Sequence, residues 1–317
     1  MKKFITNIVF FLSPVLVLGI SMECLLREIP NDYSYKNNYL AKNSNKIEVL
    51  FLGSSHIYFG IDPKYLKQKS FNAAYVSQSL NYDLEILKKY RTSWSNLKYI
   101  IIPIDYFSMY STLEDGAEKW RVENYEIYYG IHQSKNYWNN FDFFSGEFVY
   151  NSCGRLIKHK LNHESSINCT KFGWGTKNNS KNKNDLTETG KSSAIRHTCK
   201  IINNQWVLKN TETIKSFIEF GKQNKTKIIF VTCPAYKSYV ENINKNQLNS
   251  TINIITQITK NNLNSVYYNF LEDKSFKSGD FYDADHLNEI GARKLTLRIG
   301  DIINSEDKYY SHSFKTQ

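Results

Sequence analysis

The chain has 317 residues, 41% of them apolar and 22% charged, which is enough to bury a substantial core and argues against wholesale disorder. Lysine and arginine number 41 against 30 acidic residues, a formal charge of +11. Five scattered cysteines make neither a disulfide scaffold nor a zinc framework, and the same figures exclude collagen, a coiled coil and a multi-span membrane protein.

Lys2 and Lys3 precede an apolar run from about Phe4 to Leu26, interrupted by Thr6, Asn7, Ser13, Pro14, Ser21 and Glu23. A basic start followed by hydrophobics is an export signal. Two readings compete. One is a cleaved signal peptide, with the small residues Gly19 and Ser21 placed for cleavage. The other is an uncleaved anchor of about 20 residues, long enough to cross a bilayer core. The anchor is favoured, because no A-x-A site is present and Leu25 and Leu26 carry the run on to Arg27. Glu23 beside Cys24 argues against a lipoprotein box. Residues 1–27 are thus an anchor or signal segment. Lys2 and Lys3 would stay cytoplasmic, so that the domain at 28–317 is expected on the extracytoplasmic (periplasmic or outer) side. There Cys153, Cys169, Cys199 and Cys233 meet an oxidising space; one pair could be bridged, or all four could be free buried thiols. Lys and Asn are abundant throughout, so composition alone accounts for the charge. A polyanionic envelope glycan or lipid head group is compatible with it, and nucleic acid is not an expected partner behind an anchor.

Residues Lys46–Leu52 form a short apolar run ended by Gly53 and read as a buried strand. Phe71–Ala74 suggests a second. A helix comes next over about Ser79–Arg91, with Leu80, Leu84, Leu87 and Tyr90 on one face. Lys98–Ile104 is another continuous apolar strand. Near the carboxyl end the alternation returns: a helix around Ile214–Lys222, a strand at Lys227–Thr232 stopped by Cys233-Pro234, a helix through Leu248, Ile252, Ile255 and Ile258, a strand at Val266–Phe270, and a closing helix at Ile290–Ile303. Fully buried strands alternating with helices indicate a mainly parallel sheet of about five strands in a three-layer α/β/α domain.

Residues about 112–208 read as an irregular, aromatic-rich insertion. Trp120, Tyr125, Tyr128, Tyr129, Trp138, Phe141, Phe143 and Phe144 follow no clean period. They could line a substrate groove or fill a subsidiary core. Gly175–Gly190 is polar, rich in Asn and Lys, and reads as a mobile loop.

Two segments carry chemistry. Gly53-Ser54-Ser55-His56 comes directly after the first strand, and Asp283-Ala284-Asp285-His286-Leu287-Asn288 directly precedes the last helix. In an open α/β sheet the strand carboxyl ends share one edge, where such segments can meet. A serine hydroxyl needs a base to become a good nucleophile, and His286 titrates near neutrality. An imidazole that gains a proton needs a carboxylate to orient it. Asp283, three residues earlier, can fold back onto the ring; Asp285 is adjacent and less able to reach it. Gly53 permits a sharp turn that exposes backbone N–H groups for an oxyanion hole. His56, beside Ser55, is a candidate to line the site, although its side chain is expected to point elsewhere on the turn. A metal on Asp283, Asp285 and His286 lacks a second histidine-rich segment, so neither metal nor cofactor is expected. His197 reads as a surface residue, although the Arg196–His197 pair could contact an anion. Tyr236 and Lys237 are weak site-lining candidates.

Strand-Gly-x-Ser near the start with Asp-x-x-His near the end resembles the SGNH/GDSL hydrolase superfamily. The stretch Asp283–Ala292 is the stronger half of the match. The anchored form is similar to membrane-tethered proteins of bacterial envelope biogenesis, including those of teichoic-acid D-alanylation and alginate acetylation. The resemblance covers about residues 46–110 and 225–303. It implies a flavodoxin-like α/β/α fold, with Ser55 as nucleophile, His286 as base and Asp283 as its carboxylate. Gly53 matches the first block, while Ser54 replaces the usual Asp. At the second block Ser77 offers only its backbone N–H. At the third, Asp105 stands where an Asn is usual, and an ionised Asp cannot donate to an oxyanion. The resemblance therefore implies a serine esterase or O-acyltransferase acting on an exported or envelope glycan. The alternative it leaves is a non-catalytic module that binds a glycan or a membrane acyltransferase partner.

Overall fold

The computed structural model describes residues 2–133, 149–163, 165–199 and 204–313. Trp138, Phe141, Phe143 and Phe144 lie outside them. The chain divides into two compact units: residues 1–38 with 119–167, and residues 39–118 with 168–317.

The first unit is helical. Its α1 (Lys2–Arg27) covers the amino-terminal apolar run and has a mean hydropathy of 2.2, long and apolar enough to cross a membrane. Its apolar residues from Phe4 to Leu18 are largely exposed, whereas Leu26 near its end is buried. Glu23 and Arg27, one turn apart, are paired at 2.6 Å. The unit includes the first half of α2 (Asp32–Asn43), a short α5 (Val122–Asn124), a π-helical turn at Tyr125–Tyr129, and α6 (Val149–Asn162). Leu26, Ile29 and Leu156 form its small core. Tyr125 and Tyr129 are also buried, with Tyr125 edge-on to Tyr33. These two rings of the insertion are core.

The second unit carries the sheet. Strands β1 (Val49–Phe51), β2 (Ser70–Asn72), β3 (Tyr99–Pro103), β4 (Lys227–Thr232) and β5 (Ser265–Asn269) are all parallel, in the order β2-β1-β3-β4-β5. Parallel strands need crossover connections, supplied here by α3 (Ser55–Gly60), α4 (Leu80–Lys89), α8 (Asn204–Asn224) and α10 (Lys245–Lys260). The remaining helices are α7 (Leu186–His197), α9 (Lys237–Asn242) and α11 (Glu289–Ser313). Helices cover both faces, so the central strands β1 and β3 are apolar and buried at every position. On one face Val49, Phe51, Tyr99, Ile101, Ile229 and Val231 pack against Ile57 of α3, Ile61 just after it, and Leu295, Ile299 and Ile303 of α11. Burying each such side chain contributes roughly 1.5–3 kcal/mol.

The strand order reverses between β1 and β3, and ligand sites in such sheets form where it does. The expected fold class is the observed one. The polar stretch 175–190 differs from expectation. It contains a 3-10 turn at Ser180–Asn182 and the start of α7, capped by Asp185 accepting from the Thr187 and Glu188 N–H groups. Glu289 accepts hydrogen bonds from the Ser180 N–H and hydroxyl, and Asn184 N–H donates to the Tyr282 carbonyl. Polar residues spent on capping and anchoring read as a loop in sequence.

Candidate active site

Gly53 lets the chain leave β1 and turn at once. Its φ is +122°, and a Cβ there would lie 2.2 Å from Pro103 Cγ, so only glycine fits without strain. Its N–H donates to the buried Asp83 carboxylate at 2.7 Å. Ser54 caps α3, accepting from the His56 N–H at 3.4 Å, and Ser55 is the first helical residue.

At the other end of the chain, Asp283 Oδ1 accepts the backbone N–H groups of Asp285 (3.1 Å) and His286 (2.8 Å), which closes a tight turn. Asn288 ties that turn to α11: its amide donates to the Gly279 and Phe281 carbonyls, and its Oδ1 accepts from Ile290 and Gly291 N–H at the helix start. The turn aims the His286 ring at Ser55. Ser55 Oγ is 2.8 Å from His286 Nε2, and His286 Nδ1 is 3.0 and 3.1 Å from the two Asp283 oxygens. With its proton on Nδ1, the imidazole donates to Asp283 and accepts from the Ser55 hydroxyl. Burial lowers the proton affinity of His286, but Asp285 and Asp283 outweigh it and raise its pKa above the ordinary value.

Ser55 and His286 open onto a pocket of about 470 Å³, whose lining includes Gly53, Ser54, Ser77, Leu80, Phe107, Tyr110 and Leu113. Ser77 adopts φ +58°, a left-handed conformation that is unusual for serine. The α7 end adds Arg196, His197, Thr198 and Cys199 to the lining.

Asp105 and His56 are not in this wall. Asp105, expected to line the site, is buried behind it. It accepts from His56 Nδ1–H at 2.8 Å and from the Cys233 N–H at 3.0 Å. The cause is the turn after β3, which brings Cys233 at the end of β4 against the carboxylate. His56 does point away from the pocket mouth, yet it lies inside the same buried cluster, with its ring centroid 5.1 Å from that of His286. Burial pulls its pKa down, but Asp105 and Asp285 together raise it to about 10.

His197 is not a surface residue. It is mostly buried, stacked at a tilt on Phe107, with Nδ1 2.9 Å from the Tyr239 hydroxyl. Burial drives its pKa down to about 3, with His56, Arg196 and His286 adding to the effect and Asp285 opposing it. Tyr236 and Lys237 lie outside the lining, and Tyr236 packs on Phe281.

Sequence reasoning missed the part that two groups play. Asp285 is fully buried, with His56 Nε2 (3.6 Å), His197 Nδ1 (3.7 Å), His286 Nδ1 (3.7 Å) and Arg196 Nη2 (3.9 Å) around its carboxylate. Burial opposes its ionisation, but the imidazoles of His286 and His56 hold its pKa well below the usual range. Asp83 supports the Gly53 turn and is itself held by Gln78 at 2.6 Å; burial raises its pKa to about 7. A signal for it was present, since an acid at position 83 falls on the apolar stripe of Leu80, Leu84 and Leu87. Donor atoms of His56, Asp285 and His286 lie within 4.8 Å of one another. Both ring nitrogens of His286 are already engaged, so a cation there would have to displace Ser55 or Asp283. All five cysteines are unbridged.

No protein-family model and no curated protein matches the chain. Among solved structures it is similar to a protein from Streptococcus pneumonia provisionally described as a platelet activating factor. The identity is 10% and the TM-score 0.45, over 91% of this chain and 98% of that one. It is also similar to a provisionally described acylhydrolase from Bacteroides fragilis, at 11% identity and TM-score 0.40, over 84% and 95%. At these values neither likeness bears on the chemistry of this chain.

Proposed function

We propose that the protein is a serine-dependent acyl-ester hydrolase or O-acyltransferase acting on an exported or cell-envelope glycan. The observation that carries this reading is the 2.8 Å contact between Ser55 Oγ and His286 Nε2, with Asp283 on the far side of the ring. Ser55 Oγ attacks the acyl carbonyl as His286 Nε2 takes its proton. Asp283 holds the imidazole in the required tautomer and stabilises the imidazolium. Backbone N–H groups of Ser55 and Ser77 are the candidate donors to the oxyanion. His286 then passes the proton to the departing alkoxide, leaving an acyl ester on Ser55. Water, or a sugar hydroxyl, attacks that ester with His286 again as base, which frees Ser55 and releases acid or acylated glycan. The motif resemblance to SGNH/GDSL hydrolases supports the same roles. An apolar amino-terminal helix and a net charge of +11 suit tethering at a membrane near anionic glycans.

The second reading, a non-catalytic module that binds a glycan or a membrane acyltransferase partner, is favoured by Asp105. Its carboxylate is turned into His56 and offers no donor to an oxyanion. Hydrolysis of an aryl acetate and release of acetate from O-acetylated glycan separate the two. Turnover that disappears in Ser55→Ala supports the enzyme, and none in folded wild-type protein supports the module.

A further inference from the structure

We propose that His56 is a positioning residue for His286: wedged between Asp105 and Asp285, it carries the positive charge that balances the Asp285 carboxylate facing the His286 ring. The proposal rests on the esterase reading above. Asp285 is fully buried, and neither of its oxygens has a hydrogen-bond partner. A carboxylate in that position persists as an ion only if cationic groups surround it.

Four groups face it from three elements: His56 from α3, Arg196 and His197 from α7, and His286 from its own turn. Tyr239 of α9 lies close by, and it is uncharged because burial, reinforced by Asp285 and Asp105, raises its pKa further. Arg196 is the most distant of the four, and its side chain is 57% exposed, so solvent screens it. His197 is neutral, because burial keeps its pKa near 3. His286 must itself be neutral to accept the Ser55 proton. That leaves His56 as the buried cation. Its Nδ1–H is anchored by Asp105 at 2.8 Å, which turns Nε2 toward Asp285 at 3.6 Å.

The consequence lies on His286. Asp283 and Asp285 both favour its protonated form, while Ser55 and Phe59 add no charge and His56 opposes protonation. With the His56 charge removed, Asp285 acts on His286 without that opposition. The base then holds its proton to higher pH.

The test is the pH dependence of inactivation by a fluorophosphonate probe, on the full chain in mild detergent. In His56→Gln the acid limb is expected to move up by about one unit, making inactivation about tenfold slower on that limb. In Asp285→Asn it is expected to move down. An unmoved or lowered limb in folded His56→Gln protein overturns the proposal. A second measurement needs neither probe reactivity nor a His56 variant: imidazole ¹⁵N NMR of Ser55→Ala protein at pH 8. Protonation at both His56 nitrogens supports the proposal, and a neutral His56 ring overturns it. Wild-type protein that never reacts with the probe would sink the esterase reading and leave the NMR result to decide this one.

Discussion

Two parts of the site are held by different means. One is built from turns at the sheet edge, Gly53–His56 after β1 and Asp283–His286 before α11. Strand register, a left-handed glycine and short Asp and Asn turns fix both. The other is the end of α7, Arg196–Cys199, which reaches the site through packing of His197 on Phe107 and of Ala194 among α9 residues. Reacting groups sit on the wall whose geometry is local and over-determined. The wall placed by side-chain packing is free to shape what enters.

If that division is right, Ser55→Ala and His286→Ala will each lower ester hydrolysis by on the order of 10⁴ or more, read as kcat/KM. Substitutions in the α7 wall will not approach this. Asp283→Asn comes next, with a fall of up to about 10⁴, because an amide can hold the ring in the wrong tautomer. An equal or larger loss in Asp285→Asn would exchange the roles of the two carboxylates. Gly53→Ala attacks the turn itself. The methyl meets Pro103 in a backbone region that alanine avoids, so thermal unfolding should show a loss of about 2–4 kcal/mol. Arg196→Ala samples the α7 wall; a several-fold rise in KM with little change in kcat is expected.

A pH-dependent effect concerns Asp83 beneath the Gly53 turn. Its pKa is raised from 3.8 to about 7, so folding favours the protonated form. The stability this group contributes is present below about pH 4 and lost as pH rises through 7, by at most about 4 kcal/mol. Asp83→Asn should remove that slope from unfolding measured between pH 4 and 8.

The same division explains what was legible in the sequence. The strands announce themselves because burial on both faces leaves uninterrupted runs such as Tyr99–Pro103. Ser55, Asp283 and His286 could be singled out because each sits beside a strand end or a helix start, and the parallel sheet brings such points to one edge. The inward turn of His197, the buried side of Asp105 and the cluster around Asp285 depend on which helices pack together, and no local pattern records that. The Gly175–Gly190 stretch misled for a related reason: asparagines, lysines and serines that cap and anchor α7 have the composition of a solvated loop.

Mapping the adduct left by a fluorophosphonate probe on the full chain tests the nucleophile most directly. The account predicts one phosphonyl group per chain, on Ser55, absent from both Ser55→Ala and His286→Ala proteins. Folded wild-type protein that stays unmodified, or an adduct confined to another serine, would contradict it.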